Sequence, residues 1–337
     1  MHPRTGTFVI AFVVAAALSG CGGKSSGPVR AHGITANPDT GAVLLGSLDG
    51  LVVFPADNWW NADISSAPVD PGSAAYIAWI DDGSPRPLHP DFGPPPYGIP
   101  YAVVAGTQAL ERVAFAPYGD QSDSGAAGRP AGYPIPVIAR TAANWIEGGE
   151  AGGGTSGDRH CIVIDRDHAL LFETWATRWN PGTETWTAGS GAVFDLSSDA
   201  RRPDGWTSAD AAGLAIFPGL VRHDELGAEI GHAFRVTVRA TNGSVFPASH
   251  VAGNTAGALP MGARLRLKAS KDLTGYPAEI RRIFRAMQVH GLIVADNGTD
   301  MYVSGTMDPL WDNDVLNPAF ASLTADDFEV IQLGWNP

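Results

Sequence analysis

Residues 160–175 contain two apolar segments joined by a short polar stretch, and they carry the side chains best suited to chemistry. The alternation predicts an antiparallel pair of strands. A two-residue turn and a four-residue loop give the same register, in which His160 lies opposite Glu173. In that register Asp158 lies opposite Trp175. All four side chains would share one face of the sheet, because alternate residues of a strand point the same way.

Asp158 and Glu173 are diagonal neighbours in this register, and diagonal Cβ atoms lie roughly 7–8 Å apart. Their carboxyl groups would fall within the window of about 5–9.5 Å that glycosidases use for an acid and a nucleophile or base. His160 would tune the acid or move a proton, and Trp175 would stack on a sugar ring. The alternative is an ion pair of His160 with Glu173 and no catalysis. A strand end at Gly157 would remove Asp158 from the face.

The polar loop 201–210 is a second candidate region, because a long loop with a central tryptophan can line a ligand site. Trp206 would be another sugar platform, and Asp204 a substrate-binding carboxylate. Asp204 could equally form a local turn or pair with an arginine. Thr207 to Asp210 has the spacing of a capping box, so we expect a short helical turn there and interpret Asp210 as a cap rather than a catalyst.

His89 and Asp91 form a third candidate, a histidine and carboxylate couple in the proline-rich segment 88–93. Both are predicted to contact substrate, and turn formation accounts for the same residues equally well. Together with Trp175, Trp206 and Asp204 they complete the predicted substrate-binding set.

No residue pattern predicts a cofactor. The chain has no His-Glu-x-x-His motif and no paired-cysteine spacing. Calcium is a weak alternative, because four hard oxygen donors lie close together, although their spacing is not that of an EF-hand: Asp308, Asp312, Asn313 and Asp314. We favour solvated turn carboxylates, so no metal site is predicted.

The elements that must position these residues are mainly strands and turns, as 41 Gly and 26 Pro indicate. Both faces of the strand pair in 160–175 are largely apolar, which favours a mainly-β domain of the sandwich or jelly-roll-like type with a few peripheral helices. Short helices are expected over 70–80 and after Thr207, and an amphipathic helix over 277–290. Asn297-Gly298 between extended segments predicts a type I′ hairpin.

The first twenty residues have the layout of an export signal, with Arg4 ahead of an apolar run that ends near Leu18. The sequence Leu18-Ser19-Gly20-Cys21 resembles the lipobox of bacterial lipoproteins. That resemblance implies cleavage of a signal peptide, 1–20, and lipidation of Cys21, with a membrane anchor in the cell envelope. The glycine- and serine-rich start of 21–50 is interpreted as a flexible tether, and 51–337 as a single mainly-β domain.

Cysteine usage and charge restrict the function further. With Cys21 used by the anchor, Cys161 has no partner for an internal disulfide, and its apolar neighbours predict a buried, inert thiol. The formal net charge of −13 argues against nucleic acid as a partner.

The mature part resembles a group of secreted bacterial proteins without an assigned activity. The similarity covers most of residues 54–333, which supports one domain, and it implies no ligand or catalytic residue. It is carried by four segments: 88–93, 202–214, 261–268 and 295–298.

The sequence therefore predicts a surface-tethered, extracytoplasmic lipoprotein that acts on a polysaccharide, with Glu173 and Asp158 as acid/base or nucleophile and His160 as their tuner. Hydrolysis is favoured over a lyase reaction with His160 as base, because an acidic protein suits a polyanionic substrate poorly. The alternative is a non-catalytic carbohydrate-binding or envelope-structural lipoprotein, which would show exposed tryptophans without convergent carboxylates.

Overall fold

The computed structural model describes residues 34–36, 41–125 and 129–336, the first of these ranges as backbone only. The predicted signal peptide, the lipidation site Cys21 and most of the tether over 21–50 lie outside the described residues. The described residues all belong to one compact unit. None of their helices is long and apolar enough to cross a membrane.

Strands predominate in the described part of the chain, as expected from the sequence. In chain order they are β1 (Ile34–Ala36), β2 (Val43–Leu44), β3 (His89–Asp91), β4 (Tyr101–Val104), β5 (Val113–Phe115), β6 (Cys161–Asp165), β7 (Leu170–Trp175), β8 (Arg178–Asn180), β9 (Thr185–Ala188), β10 (Ser190–Asp195), β11 (Phe234–Val238), β12 (Arg264–Leu267), β13 (Leu292–Asn297), β14 (Tyr302–Ser304) and β15 (Phe328–Val330). The α-helices are α1 (Ser73–Asp81), α2 (Ala278–Val289) and α3 (Asn313–Ala321).

The strands form two six-stranded sheets and one three-stranded sheet. The first sheet has the order β1-β2-β4-β6-β7-β10, the second β15-β12-β13-β11-β14-β3 and the third β5-β9-β8. Each sheet mixes parallel and antiparallel pairs. In the first, for example, β4 and β6 are parallel whereas β6 and β7 are antiparallel.

The first sheet is buried on both faces because its strands are apolar at nearly every position. One face, which includes Ile162, shares the main hydrophobic core with Phe234 of the second sheet. The opposite face, which includes Val163 and Phe172, packs in a second core with Trp186 of the third sheet. Burying each large apolar side chain contributes about 1.5–3 kcal/mol. Layered sheets with shared cores thus hold the fold together.

Two of the three expected helices are present. The stripe predicted over 277–290 is confirmed, because α2 buries Ile283, Phe284 and Met287. Gly291, at φ +78°, follows the helix in the left-handed conformation that favours glycine. The helix expected from Asp70 begins later, at Ser73, because the Asp70 side chain and carbonyl oxygen accept hydrogen bonds in a preceding turn.

The third expected helix, after Thr207, is absent, and that prediction is wrong. The Thr207 hydroxyl donates to the carbonyl oxygen of Asp210 at 3.0 Å, so it does not cap a helix start. The Asp210 side chain instead pairs with Arg235. A tertiary ion pair therefore overrides the local capping pattern.

The predicted strand pair exists as β6 and β7, but its register differs by two residues. Ile162 rather than His160 lies opposite Glu173. The connecting loop extends to Ala169, which adopts φ +54°, and the Asp165 carboxylate accepts from the backbone N–H of His168 at 3.2 Å. The loop is therefore displaced by one residue along the chain. Since a shift of two preserves the side-chain period, Glu173 keeps the predicted face.

The hairpin predicted at Asn297-Gly298 is also wrong. Strands β13 and β14 are not neighbours, because β11 lies between them in the second sheet. The Gly298 N–H donates to the carbonyl oxygen of Val238 on β11. The left-handed residue of this connection is Met301, at φ +62°.

Cys161 on β6 is buried, as expected. Burial raises the pKa of its thiol to about 12, so the thiol is protonated and unreactive at neutral pH.

Candidate functional site

Glu173, the predicted catalytic carboxylate, lies inside the main core with no exposed surface. Its Oε1 accepts from the backbone N–H of Phe217 at 2.8 Å, and both carboxylate oxygens lie 2.9 Å from the N–H of Ile216. Burial raises the Glu173 pKa to about 7, although these backbone hydrogen bonds favour the charged form. The sheet face that was predicted to carry the catalytic carboxylates is therefore closed to solvent at Glu173, which anchors the segment after Leu214.

His160 lies just before β6 and is buried against two oxygen acceptors. Its Nδ1 lies 2.7 Å from Oε2 of Glu147, and its Nε2 lies 3.1 Å from the carbonyl oxygen of Ala209. Both nitrogens therefore donate, as in imidazolium. Burial alone would lower the His160 pKa, but the Glu147 carboxylate raises it to about 9. In this arrangement His160 has no lone pair with which to act as a base.

Glu147 is the carboxylate that organises this side of the site, and the sequence did not single it out. It lies in a turn completed by Gly148 and Gly149, which both adopt positive φ that only glycine accepts readily. Burial favours a raised pKa for Glu147, but the His160 charge and two hydrogen bonds from that residue lower it overall. Both bonds use Oε2, so Oε1 has no hydrogen-bond partner among the described residues.

Asp91 lies on β3, close enough to Glu147 for the charge of that residue to act on its carboxyl group. Its side chain is exposed to solvent, yet surrounding protein desolvates the carboxyl group and raises its pKa, and the charge of Glu147 raises it further. Arg235 and His89 act in the opposite direction. Asp91 therefore combines solvent access with a partly desolvated carboxyl group.

Arg235 on β11 links the second sheet to the loop that contains Asp210. Its Nε donates to Asp210 at 2.8 Å, its Nη1 to Ser304 at 2.8 Å and its Nη2 to Asp296 at 2.7 Å. Asp210 is fully buried and its pKa is raised to about 6 by that burial, against the Arg235 charge. Ser304 pairs with Asp91 across β14 and β3. Ser304 therefore lies between Arg235 and Asp91 in the second sheet.

These groups form one electrostatic unit, with three residues from the second sheet and the others from loops, including the loop that leads into β6 of the first sheet. The charge of Asp158 raises the pKa of both Asp91 and His160, which adds this exposed residue to the set. We refer to it as the inter-sheet charge cluster: Asp91, Glu147, Asp158, His160, Asp210, Arg235 and Asp296.

Aromatic side chains extend from the cluster in two directions. The Trp175 indole N–H donates to Oδ1 of Asp158 at 3.1 Å, so the two side chains meet, although Asp158 precedes β6 and does not pair with Trp175 across the strands as predicted. Trp175 in turn contacts Tyr118, which contacts His250. All three rings are half-buried.

On the other side, His89 stacks on Tyr302 with ring centroids 4.3 Å apart. His89 and Asp91 are two residues apart on β3, so they share a face of the second sheet. Both predicted residues of the proline-rich segment therefore lie at the cluster.

The remaining predicted residues, Asp204 and Trp206, have local partners instead. The exposed Asp204 pairs with Arg201 at 3.0 Å. The Arg202 guanidinium carbon lies 5.5 Å from the Trp206 ring centroid. The same side chain forms an ion pair with the buried Asp123 at 2.7 Å. No contact joins either residue to the cluster within the described part of the chain. Pairing with an arginine, the alternative interpretation of Asp204, therefore accounts for that residue.

No group of three or more histidine, cysteine and acidic side chains in the described ranges is arranged to hold a metal ion. Of the residues considered for calcium, Asp308 and Asp312 accept from backbone N–H groups of Leu310 and Asp314. Asp312 is thereby the N-cap of α3.

Comparisons with protein-family models, curated proteins and solved structures find no significant match to this chain.

Proposed function

We propose that the chain is a polysaccharide-active enzyme of the glycoside hydrolase type, with Asp91 as the acid and Glu147 as the nucleophile or base. The observation that carries this proposal is the opposite displacement of their pKa values. Desolvation raises the pKa of Asp91, whereas His160 lowers that of Glu147. Two carboxyl groups whose environments separate their pKa values can act as proton donor and as anion at the same pH.

The surroundings suit each role. Asp91 is solvent-exposed, so a glycosidic oxygen can reach its carboxyl group. Glu147 has Oε1 free of hydrogen bonds within the described ranges, while Oε2 is fixed by His160. Fixing Oε2 also orients Oε1. The carboxylate stays ionised because the shared proton remains on the His160 ring.

A carbohydrate is the substrate class that the rest of the surface supports. Half-buried aromatic rings flank the carboxylates, with Trp175 beside Asp158 and the His89–Tyr302 stack beside Asp91. Aromatic faces fit the apolar C–H faces of sugar rings, and carboxylates accept from sugar hydroxyl groups. The lipobox at Cys21 supports a polymer outside the cytoplasm, reached by a protein anchored in the cell envelope.

A polysaccharide panel tests the proposal by release of reducing ends. Asp91→Asn and Glu147→Gln are each expected to lower kcat by at least about 100-fold, the usual contribution of a positioned acid or base. Asp120→Asn and Glu279→Gln are matched controls, because both residues are exposed and lie outside the cluster. Binding without turnover by the unaltered protein would favour the non-catalytic alternative, and full activity in both cluster variants would refute the acid–base assignment.

A further inference from the structure

A cavity of about 420 Å³ lies apart from the inter-sheet charge cluster and shares no lining residue with it. Arg222, Glu225 and His232 form its polar side. The apolar side is formed mainly by the segment that precedes Trp59: Leu48, Leu51, Val52, Val53, Phe54 and Ala56, together with Pro218.

Arg222 is the unusual residue of this cavity. Its side chain is only 6% exposed, yet neither Nε nor Nη1 has a hydrogen-bond partner among the described residues. Nη2 donates to Glu225, and the nearest other carboxylate, Asp224, lies 3.7 Å from Nε. A buried guanidinium nitrogen without an acceptor is costly, and an anionic ligand would remove that cost.

The other polar groups of this cavity supply no acceptor for Nε or Nη1 of Arg222. Glu225 accepts from Arg222 and also lies 3.0 Å from Nε2 of His232. The second ring nitrogen of His232 lies 2.9 Å from the carbonyl oxygen of Ala233. Both nitrogens of that ring thus face acceptor oxygens. Glu225 is therefore shared between Arg222 and His232, so it does not serve the guanidinium group alone.

The apolar wall is held in a strained shape. Phe54 adopts φ +63°, a left-handed conformation that costs a bulky residue about 1–2 kcal/mol. The Asn61 amide donates to the carbonyl oxygens of Val53, Phe54 and Pro55 at 2.9–3.1 Å, which fixes the segment in place. Backbone strain that the surroundings maintain is frequent at ligand clamps.

We propose that this cavity binds a carboxylate attached to an apolar chain, with the carboxylate on Arg222 and the chain against the segment from Leu48 to Phe54. A guanidinium group binds carboxylate through a fork of N–H donors, and the wall excludes water from the rest of the ligand. The site is independent of the proposed hydrolase activity.

Calorimetric titration of the full chain with sodium octanoate, 1-octanol, sodium acetate and inorganic phosphate tests this inference. Octanoate is expected to bind at least about tenfold more tightly than the other three probes, a difference of about 1.4 kcal/mol. Equal binding of octanol would show that Arg222 plays no part. Equal binding of acetate or phosphate would show that the apolar wall plays none, and no octanoate binding at all would overturn the proposal.

Two variants test the two sides of the cavity separately. Arg222→Met should abolish the preference for octanoate over octanol. Because it leaves Glu225 short of a partner and could fail to fold, Val52→Asp is the second variant. Val52 is 68% exposed on the cavity rim, so an aspartate there repels the ligand and should weaken octanoate binding at least about fivefold. Val137→Asp is the matched control at another exposed valine, and unchanged binding in Val52→Asp would contradict the assigned site.

Discussion

Nδ1 of His160 lies 2.7 Å from Oε2 of Glu147, which joins a buried imidazolium to a half-buried carboxylate just before β6 of the first sheet. This pair determines what His160 can do. At neutral pH it holds a positive charge beside Glu147 and, in this arrangement, does not exchange the proton that the sequence-based hypothesis assigned to it.

The pair should make stability fall at alkaline pH. The folded state raises the His160 pKa from 6.5 to about 9, so the folded protein binds this proton more tightly. The stabilisation is complete below pH 6.5 and is lost as pH rises towards 9, with a total on the order of 3 kcal/mol. Urea unfolding at pH 6 and pH 9.5 measures it. The matched His160→Gln variant should lose this pH dependence of the free energy of unfolding. An unchanged pH dependence in that variant would contradict the ion pair.

Glu173 should contribute a pH dependence over a different range. Its pKa rises from 4.5 to about 7 on folding, so stability falls as pH increases between these values. Glu173→Gln removes the titrating group and should flatten this part of the curve. Glu173→Ala leaves two buried backbone N–H groups without an acceptor, which costs about 2–4 kcal/mol. Hydrolase activity should persist in Glu173→Gln, because this carboxylate cannot reach a polymer; a loss as large as that expected for Glu147→Gln would return the catalytic role to Glu173.

The sequence pattern predicted those elements that depend mainly on residues close together in the chain. The helix over 277–290 followed from its apolar stripe, and the β6–β7 pair from alternation and a polar connection. The register failed because it depends on where a loop residue, Ala169, takes a left-handed conformation. The hairpin at Asn297 failed because β11, some sixty residues earlier, pairs between its two strands.

The site was predictable only in part for the same reason. His89, Asp91, Asp158 and His160 were identified from residue type and spacing, and they meet at the cluster. The groups that set their electrostatics come from separate segments: Glu147, Arg235 and Asp296. A glycine-rich turn after Glu147 was the one local signal available. Asp210 was read as a cap because its ion pair with Arg235 is tertiary.

Arg235 should be the most sensitive structural residue of the cluster. Arg235→Met leaves the fully buried Asp210 and the neighbouring Asp296 without their cation. Breaking a buried pair from one side costs about 3–5 kcal/mol. The double variant Arg235→Met with Asp210→Asn should recover part of this loss, because an amide carries no charge to desolvate. Chemical denaturation gives both values, and a single-variant loss below about 1 kcal/mol would be inconsistent with the observed ion pairs.

Trp175 should act in substrate binding more than in turnover. Trp175→Ala removes the indole that flanks Asp158 and should weaken binding by about 1–3 kcal/mol, the usual cost of losing a buried aromatic contact. KM is expected to rise much more than kcat falls. Trp335→Ala is the matched control, because Trp335 is similarly half-buried but packs against Ile64, Ala67 and Ile331. Equal effects of the two substitutions on KM would show that loss of packing, and not of a sugar platform, is responsible.

The pH dependence of turnover should be bell-shaped, with Glu147 setting the acid limb and Asp91 the alkaline limb. Activity requires Glu147 ionised, and its lowered pKa places the loss of activity on the acid limb below 4.5. Activity also requires Asp91 protonated, and its pKa, raised above 3.8, sets the alkaline limb. The charge of Asp158 is one of the causes that raise the pKa of Asp91, so Asp158→Asn should move the alkaline limb to lower pH and leave the acid limb in place. Profiles of kcat/KM for the unaltered protein, Asp158→Asn and the exposed control Asp120→Asn measure the shift, and an alkaline limb that moves equally in both variants, or in neither, would exclude Asp91 as the acid.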